Sequence, residues 1–385
     1  MAQTKSNVLL ISNYKEDNQF SMQKFSELLL QTTTEPKQYN FLEKYPLPII
    51  NKWVSNKRIK KWAAYVDKYL IFPKTLKKIL QTSKQSIDIA HIIDHSNAPY
   101  LKIIKRYSAS KRLITCHDLI AIRSALGDFS TSPKISHTGK KLQKWILNSL
   151  PSSEYYACDS EETKQDLNRL VPKSSIHSKV ILLGTDSDSS KQSRGNFDDS
   201  ELCFDLRKTN YLVHVGSAAW YKNRQAIFKS FLYAKNHSFG RNVKLILVGP
   251  SPQPHELNTE LSILLKKYSS DVICLENISR TTLNHLYLHA KLLLFPSFIE
   301  GFGWPPLEAA KMGCSVITTK TGAIHELLGD VATYVDPFNQ ESINKAFNEV
   351  LETRSKKPVK VSLPTNQECR ENYHQLYHQL LKTSR

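Results

Sequence analysis

Two carboxylates, Glu300 and Glu308, stand eight positions apart in the stretch FPSFIEGFGWPPLEAAKMGCSVIT, residues 295–318. Gly301, Phe302, Gly303, Trp304 and the prolines 305 and 306 lie between them. The short apolar run 291–295 in front reads as a buried parallel strand. The residues behind, 307–312, are good helix formers, and a proline pair suits a helix start. A strand, a glycine-bearing loop and a helix N-terminus together make an anion site at the carboxyl edge of a parallel sheet. Glycines let backbone N–H groups come close to a ligand there. A carboxylate on either side can hold the hydroxyls of something polyhydroxylated. The combination points to a phosphate next to a sugar.

Other residues gather at similar edges. The run 211–215 ends in Gly216 and Ser217, and Lys222 and Arg224 follow at a helix start. A cation there can reach a phosphate in the same crevice as the Glu300 loop. In the first half, His117 and Asp118 follow the apolar run 113–116, and Asp94 and His95 follow 87–93. Either histidine can hydrogen-bond a ligand or simply be satisfied inside the protein. Asp186-Ser187-Asp188 spells a short acidic pair at the start of a polar stretch, where solvated carboxylates are the ordinary outcome. The pairs His285/His289 and His374/His378 have one-turn helical spacing but no third ligand close in sequence, so no metal site is expected.

The elements that must position these residues form two series. Strand-like runs at 8–12, 87–93, 113–116, 155–158 and 180–183 alternate with helix-like stretches at 21–31 and 161–170. After the polar stretch 186–200 the alternation restarts, with runs at 211–215, 243–248, 272–275, 292–295 and 315–318 and helices at 223–236 and 257–268. Such alternation is the signature of parallel sheets covered by helices, hence an α/β chain with two doubly wound domains. The boundaries are read as a first domain over 1–185, a linker over 186–207, a second domain over 208–365 and a final helix over 366–385. In that helix Cys369, Tyr373, Leu376, Tyr377 and Leu380 make one apolar stripe.

The 385 residues carry a net charge of +18, unevenly. Residues 1–150 hold 25 Lys and Arg against 10 Asp and Glu, a net of +15; residues 151–385 hold 28 against 25, a net of +3. The first half therefore faces an anionic surface or substrate, or carries a solvated basic face. No nucleic-acid module is recognisable in it. Six scattered cysteines form no CxxC pair, which fits a reducing cytoplasm. No apolar run reaches the roughly 18 residues of a membrane span, and the run 8–11 is too short for a signal peptide. Residues 51–80 mix Trp53, Trp62, Tyr65 and Tyr69 with a dense set of lysines. That pattern suits a helix lying on an anionic membrane surface, or an excursion whose aromatics face the domain's own core.

Together these motifs resemble the family-4 retaining glycosyltransferases of the GT-B fold, over nearly the whole chain. The segment EGFGWPPLE, Glu300 to Glu308, is similar to the family's E-G-F-G-x-P-x-x-E loop. Gly322 to Glu326, Asp336-Pro337 and Ser160 to Lys164 resemble further family segments. The resemblance implies two Rossmann-like domains facing across a cleft, with the last helix crossing back to the first. It implies transfer of a sugar from a UDP- or GDP-sugar to a glycan, lipid-linked or polysaccharide acceptor, with retention and without a metal or other cofactor. Glu308 would bind the ribose, Glu300 the donor sugar, and the 301–304 loop the sugar and phosphate. Gly216 and Ser217 would belong to the donor pocket. Lys222 would neutralise the diphosphate, and His117 would reach the donor sugar. Asp118 and His95 fall on the acceptor side. Ser217 and Tyr221 stand where the family commonly has an arginine, and Arg224 is the nearby substitute. No glycine follows the first strand, where many relatives have a glycine-rich loop. A fold-retaining binding protein without catalysis, docking on a membrane or partner, is the other class that fits.

Overall fold

In the computed structural model, residues 5–31, 39–83, 86–185, 202, 204–237, 241–253, 256–352 and 361–382 are described. The acidic pair at 186–188 and most of the expected linker lie outside them. The chain divides into two units, Met1–Asp128 with Lys134–Leu182 and Asn366–Arg385, and Phe129–Pro133 with Leu183–Thr365.

The first unit holds six parallel strands: β1 Ser6–Ile11, β2 Tyr39–Lys44, β3 Ile89–Ile92, β4 Lys111–Cys116, β5 Tyr155–Cys158 and β6 Ser178–Val180. Their order is β2-β1-β3-β4-β5-β6. Leu9, Leu10 and Ile11, like Ile92, Leu113 and Ile114, are fully buried, as a sheet covered on both faces requires. The chain winds outward from β1 to β2, then crosses to β3 on the other side of β1. The loops after β1 and β3 therefore diverge at a topological switch point. Asn13, just past β1, donates through Nδ2 to Asp94 at 2.6 Å and accepts from Asn97 at 2.8 Å, which ties those two loops together.

The helix Asn366–Lys382 belongs to this first unit. Its expected stripe is buried: Cys369, Tyr373, Leu376, Tyr377 and Leu380 all face inward. A polar chain pins it to the sheet. His91 Nδ1 meets Tyr377 Oη and Nε2 meets Thr115 Oγ1, both at 2.8 Å, and Thr115 Oγ1 meets Tyr373 Oη at 3.1 Å. Burial drives the His91 pKa down to about 3, so the imidazole is neutral and one nitrogen accepts.

The second unit repeats the plan with β7 Tyr211–Val215, β8 Lys244–Val248, β9 Val272–Leu275, β10 Leu292–Phe295, β11 Ser315–Thr318 and β12 Thr333–Tyr334. The order is β12-β11-β10-β7-β8-β9, all parallel, which is the doubly wound order of a Rossmann domain. The core includes Leu212, Phe228, Phe231, Leu245, Leu294, Ile317 and Phe347. The switch point here lies between β7 and β10, where Leu292 pairs with Leu212 and Leu293 with Val213. One expected run shifts. The run 180–183 ends as a strand at Val180; Ile181 is buried and donates to the Cys158 carbonyl at 2.9 Å, and Leu183 is buried beyond it. Strands β2 and β12 carry no continuous apolar run and are found only in the fold.

Candidate functional site

The loops leaving β7 and β10 converge at the second unit's switch point. Phe298 N donates to the Tyr221 carbonyl at 2.8 Å. Asn223, in the left-handed region at φ 50°, sends Nδ2 to the carbonyls of Pro296 (3.1 Å) and Pro337 (2.9 Å). One amide thus fastens the loops after β7, β10 and β12. Sequence reading took Asn223 only as the first residue of a helix, because its partners are more than seventy positions away.

Held this way, Lys222 and Glu300 meet. Lys222 Nζ lies 2.9 Å from Glu300 Oε1 and 3.0 Å from Oε2. The side chains are 13% and 7% exposed, and the ammonium sits 4.8 Å from the Phe295 ring centroid. The helix Trp304–Lys311 begins directly behind, with Gly303 as its N-cap and Pro305 and Pro306 in its first turn. Gly303 has φ 89°, and a Cβ there would fall 2.3 Å from Ile324 Cγ1. Only glycine suits both the conformation and the space. Pro305 and Pro306 have no N–H, so the donors at this helix start are those of Trp304 and Leu307, which with those of the loop carry partial positive charge. Phe302 and Trp304 make a ring contact at 4.9 Å, and the Phe302 carbonyl accepts from Ala323 N at 3.2 Å, which braces the loop.

Glu308 lies one helical turn further and is held by a different set. Arg280 Nη1 donates to Oε1 at 2.6 Å, and Tyr287 Oη donates to Oε2 at 3.3 Å. Burial, with the Glu308 charge, raises the Tyr287 pKa well above that of a free phenol, so the hydroxyl stays a donor. Arg280 and Tyr287 both come from the helix Arg280–His289. Neither was singled out in the sequence; an arginine at a helix start is unremarkable until the fold sets it beside Glu308.

Gly216 and Ser217 follow β7 at the same edge. Gly216 N donates to the Val248 carbonyl at 3.0 Å, and its own carbonyl lies so near Gly249 that a Cβ there would sit 2.2 Å away. Arg224 is buried and pairs with Glu256 at 3.1 Å, while Nη2 donates to the Pro250 carbonyl at 2.9 Å. It braces the loop after β8. His214 is buried, with Nδ1 donating to the Leu294 carbonyl at 3.1 Å, and burial lowers its pKa to about 3.

The remaining candidates belong to the first unit. His117 is buried, with Nδ1 2.6 Å from Asp159 Oδ2 and Nε2 2.8 Å from the Ile93 carbonyl. A carbonyl only accepts, so Nε2 carries a proton. Burial opposes charge on the ring, but Asp159 and Asp94 outweigh it and raise the pKa to about 9. Both ring nitrogens are thus engaged within this unit. Asp118 Oδ1 accepts from Ile120 N at 3.0 Å at the start of the next helix. His95 is buried beside Asp94, with Nδ1 3.3 Å from Oδ1. Among the described residues no cluster of three or more His, Cys, Asp or Glu could hold a metal ion.

The paired carboxylates and the glycine loop lie at the switch point of a Rossmann-like unit, the edge at which such sheets receive ligands. Residues 205–372 match the family model described as "Glycosyl transferases group 1". A stretch of 143 residues is 29% identical to the O-antigen chain mannosyltransferase RfbU of Salmonella typhimurium. It covers 37% of this chain and 39% of that relative's length. Over 99% of its length the chain is similar in structure to the sucrose-phosphate synthase of Thermosynechococcus elongatus, at TM-score 0.72 and 16% identity, covering 100% of that structure. It is also similar to an alpha,alpha-trehalose-phosphate synthase (UDP-forming) from Burkholderia xenovorans, at TM-score 0.67 and 10% identity over 98% of this chain and 100% of the other. At such identities the likeness establishes the fold, which is GT-B.

Proposed function

We propose that the protein is a retaining, metal-independent glycosyltransferase that moves a hexosyl group from a nucleotide sugar to a glycan, lipid-linked or polysaccharide acceptor. The observation that carries this reading is the convergence of Lys222, Glu300 and the N-terminus of the Trp304–Lys311 helix at one switch point, with Glu308 one turn beyond. Glu308, oriented by Arg280 and Tyr287, would accept hydrogen bonds from ribose hydroxyls. Glu300 would accept them from the donor sugar. Backbone N–H groups of Phe302, Gly303 and Trp304 would face the phosphates.

Departure of a nucleoside diphosphate builds negative charge at the leaving oxygen. A preorganised ammonium and a helix N-terminus stabilise that charge without reorganising during the reaction. Lys222 supplies the first and the 304–311 helix the second. His117, with both ring nitrogens held by Asp159 and the Ile93 carbonyl, would keep its loop in shape rather than exchange a proton at neutral pH. The two glutamates are not an acid/base pair in this scheme, since each serves a different end of the donor. The names of the relatives make nucleotide-activated mannose the first donor to test. Five free cysteines among the described residues favour a cytoplasmic location.

A thermal-shift series with UDP, GDP, ADP and their sugars tests the reading. One diphosphate should raise the melting temperature, unchanged by EDTA, and Glu308→Ala should abolish the shift. No shift with any nucleotide would sink the proposal. A shift without hydrolysis or transfer of any nucleotide sugar would move it to the non-catalytic binding class. The anomeric configuration of the product, read by NMR, tests retention.

A further inference from the structure

Residues 47–70 carry seven of the thirteen large apolar side chains that stand exposed among the described residues: Leu47, Ile49, Ile50, Trp53, Ile59, Trp62 and Leu70. Trp53 is 80% exposed and Trp62 59%, far above what a tryptophan packed in its own core would show. The core-facing alternative holds for other residues of the segment, since Ala63, Ala64, Phe72 and Leu76 are buried. The helix Lys57–Val66 therefore has two apolar faces. Ala63 and Ala64 face inward, while Ile59 and Trp62, three positions apart, share an outward face.

The charge carried by this segment is almost all of one sign, although Lys68 pairs with Asp17 from the loop after β1 at 2.7 Å. Residues 51–80 contain nine Lys and Arg against a single carboxylate, Asp67, a net of +8. Asp67 is buried and accepts from Ile50 N at 2.8 Å, Asn51 N at 3.0 Å and Tyr14 Oη at 3.2 Å. Its carboxylate is spent on fixing the 47–53 turn against the helical segment. Lys52, Lys60, Lys61, Lys74, Lys77 and Lys78 are exposed. A ladder of rings extends the surface: Trp62 to Tyr65 at 5.9 Å, Tyr65 to Tyr69 at 6.1 Å, and Tyr69 to Trp145 at 5.2 Å. Trp145 is itself exposed and shares a helical stripe with exposed Lys141.

We propose that this surface docks the protein on an anionic lipid bilayer, with Trp53, Ile59 and Trp62 entering the headgroup region and the lysines facing the lipid charge. Charge complementarity selects the occupant. A protein partner would be expected to meet mixed charge at such a rim, whereas a headgroup layer rewards indole rings beside ammonium groups and a fixed shape. Tyr69 Oη also reaches the Ser96 carbonyl at 3.4 Å, so the ladder borders the loop after β3 that carries His95. The family resemblance puts that loop on the acceptor side, and a lipid-linked acceptor would then be met where the protein touches the membrane. This last step rests on the glycosyltransferase reading; the docking itself does not.

Flotation of the full chain with vesicles tests it, without any nucleotide or acceptor. The protein should float with phosphatidylcholine–phosphatidylglycerol vesicles at low salt, and not with phosphatidylcholine alone. At about 1 kcal/mol per surface lysine, Lys60→Gln with Lys61→Gln should lower the partition coefficient roughly thirty-fold. Bromine-labelled acyl chains should quench tryptophan emission, and Trp53→Phe with Trp62→Phe should remove most of that quenching. All four side chains are exposed, so circular dichroism and melting should match the wild type. Unchanged binding of the lysine variant, or binding without quenching of Trp53 and Trp62, overturns the proposal. So does tighter binding to a homopolymeric RNA than to the anionic vesicles, which would make the patch a nucleic-acid surface. Loss of nucleotide-sugar transfer with flotation intact would refute the function and leave the docking standing.

Discussion

The Lys222–Glu300 pair should behave as a buried ion pair rather than as a surface salt bridge. Its side chains are 13% and 7% exposed, and Nζ approaches both carboxylate oxygens within 3.0 Å. Removing one partner of a buried pair costs about 3–5 kcal/mol, because the other charge is left uncompensated. An exposed pair is worth about 0–1 kcal/mol. Partial exposure of Lys222 puts the expectation for Lys222→Met near 3 kcal/mol, as an order of magnitude. Glu300→Gln should cost a similar amount, since an ammonium then faces an amide beside the Phe295 ring. The double variant Lys222→Met with Glu300→Gln carries no buried charge at the site and should cost far less than the sum. The coupling energy should then fall at roughly 2–3 kcal/mol, within the range for contacting residues.

Urea unfolding read by fluorine NMR of 5-fluorotryptophan separates the two units. Trp220 and Trp304 report on the second unit, and Trp53, Trp62 and Trp145 on the first. Each single variant should shift only the Trp220 and Trp304 transition, and the double variant should shift it about as far as one single variant rather than twice as far. Nucleoside diphosphate binding should be weakened in all three. Single variants within about 0.5 kcal/mol of wild type, the usual scatter of surface substitutions, would refute the reasoning. So would a double variant whose loss equals the sum of the singles.

Three further outcomes follow from the geometry. Arg280→Met should weaken nucleoside diphosphate binding about ten-fold by calorimetry, the equivalent of one charge-assisted hydrogen bond lost from Glu308, with Arg280→Lys recovering part of it. Gly303→Ala should destabilise the second unit by more than about 2 kcal/mol, since it combines a left-handed backbone with a clash on Ile324; Ile324→Ala should relieve only the clash, as melting of the double variant will register. Acid should act through His91 and His214, whose folded pKa values of about 3 lie below the ordinary 6.5. The unfolded chain takes up those protons first, so stability is full above pH 6.5 and is lost as pH falls towards 3, at up to about 1.4 kcal/mol per pH unit for each histidine. His117 has the opposite sign: its contribution is complete below pH 6.5 and disappears as pH rises through about 9. His214→Gln should flatten the acid slope of the second unit alone, read as the urea midpoint at pH 5 against pH 7.

Where local pattern carries the information, the sequence was readable. The stripe of Cys369, Tyr373, Leu376, Tyr377 and Leu380 was visible because helical periodicity needs no knowledge of what the helix meets. Strand β10 was visible because all four of its residues are apolar. Strand β2 was not: it is an edge strand with the sequence YNFLEK, alternately covered and open, and reads as a loop. The glutamates and Lys222 stood out by type and spacing, but Asn223, Arg280 and Tyr287 did not. Their partners lie 114, 28 and 21 positions away at the longest reach of each, and only the winding of the sheet brings them in. Residues 51–80 left two outcomes open because periodicity identifies an apolar face without saying whether anything covers it. The fold buries Ala63, Ala64, Phe72 and Leu76 and leaves Trp53, Ile59 and Trp62 exposed.

The two glutamates end up with different kinds of partner, and the difference bears on how the site would work. Glu308 is held by Arg280 and Tyr287 from a neighbouring helix of the same sheet layer, so its orientation is a property of packed structure. Glu300 is held by Lys222 from the loop after β7, so its partner is itself a residue the proposed donor must engage. An ammonium has three N–H donors, and two are directed at the Glu300 oxygens. A diphosphate oxygen meeting the third would share Lys222 with Glu300 rather than replace it. The carboxylate would then fix the ammonium's direction, and the arriving anion would leave the pair intact. On this argument Glu300→Gln should reduce kcat more than it raises the KM for the donor, because the loss is of transition-state charge stabilisation, whereas Glu308→Gln should act mainly on KM. Equal effects of the two substitutions on KM with kcat unchanged would mean that both glutamates only bind.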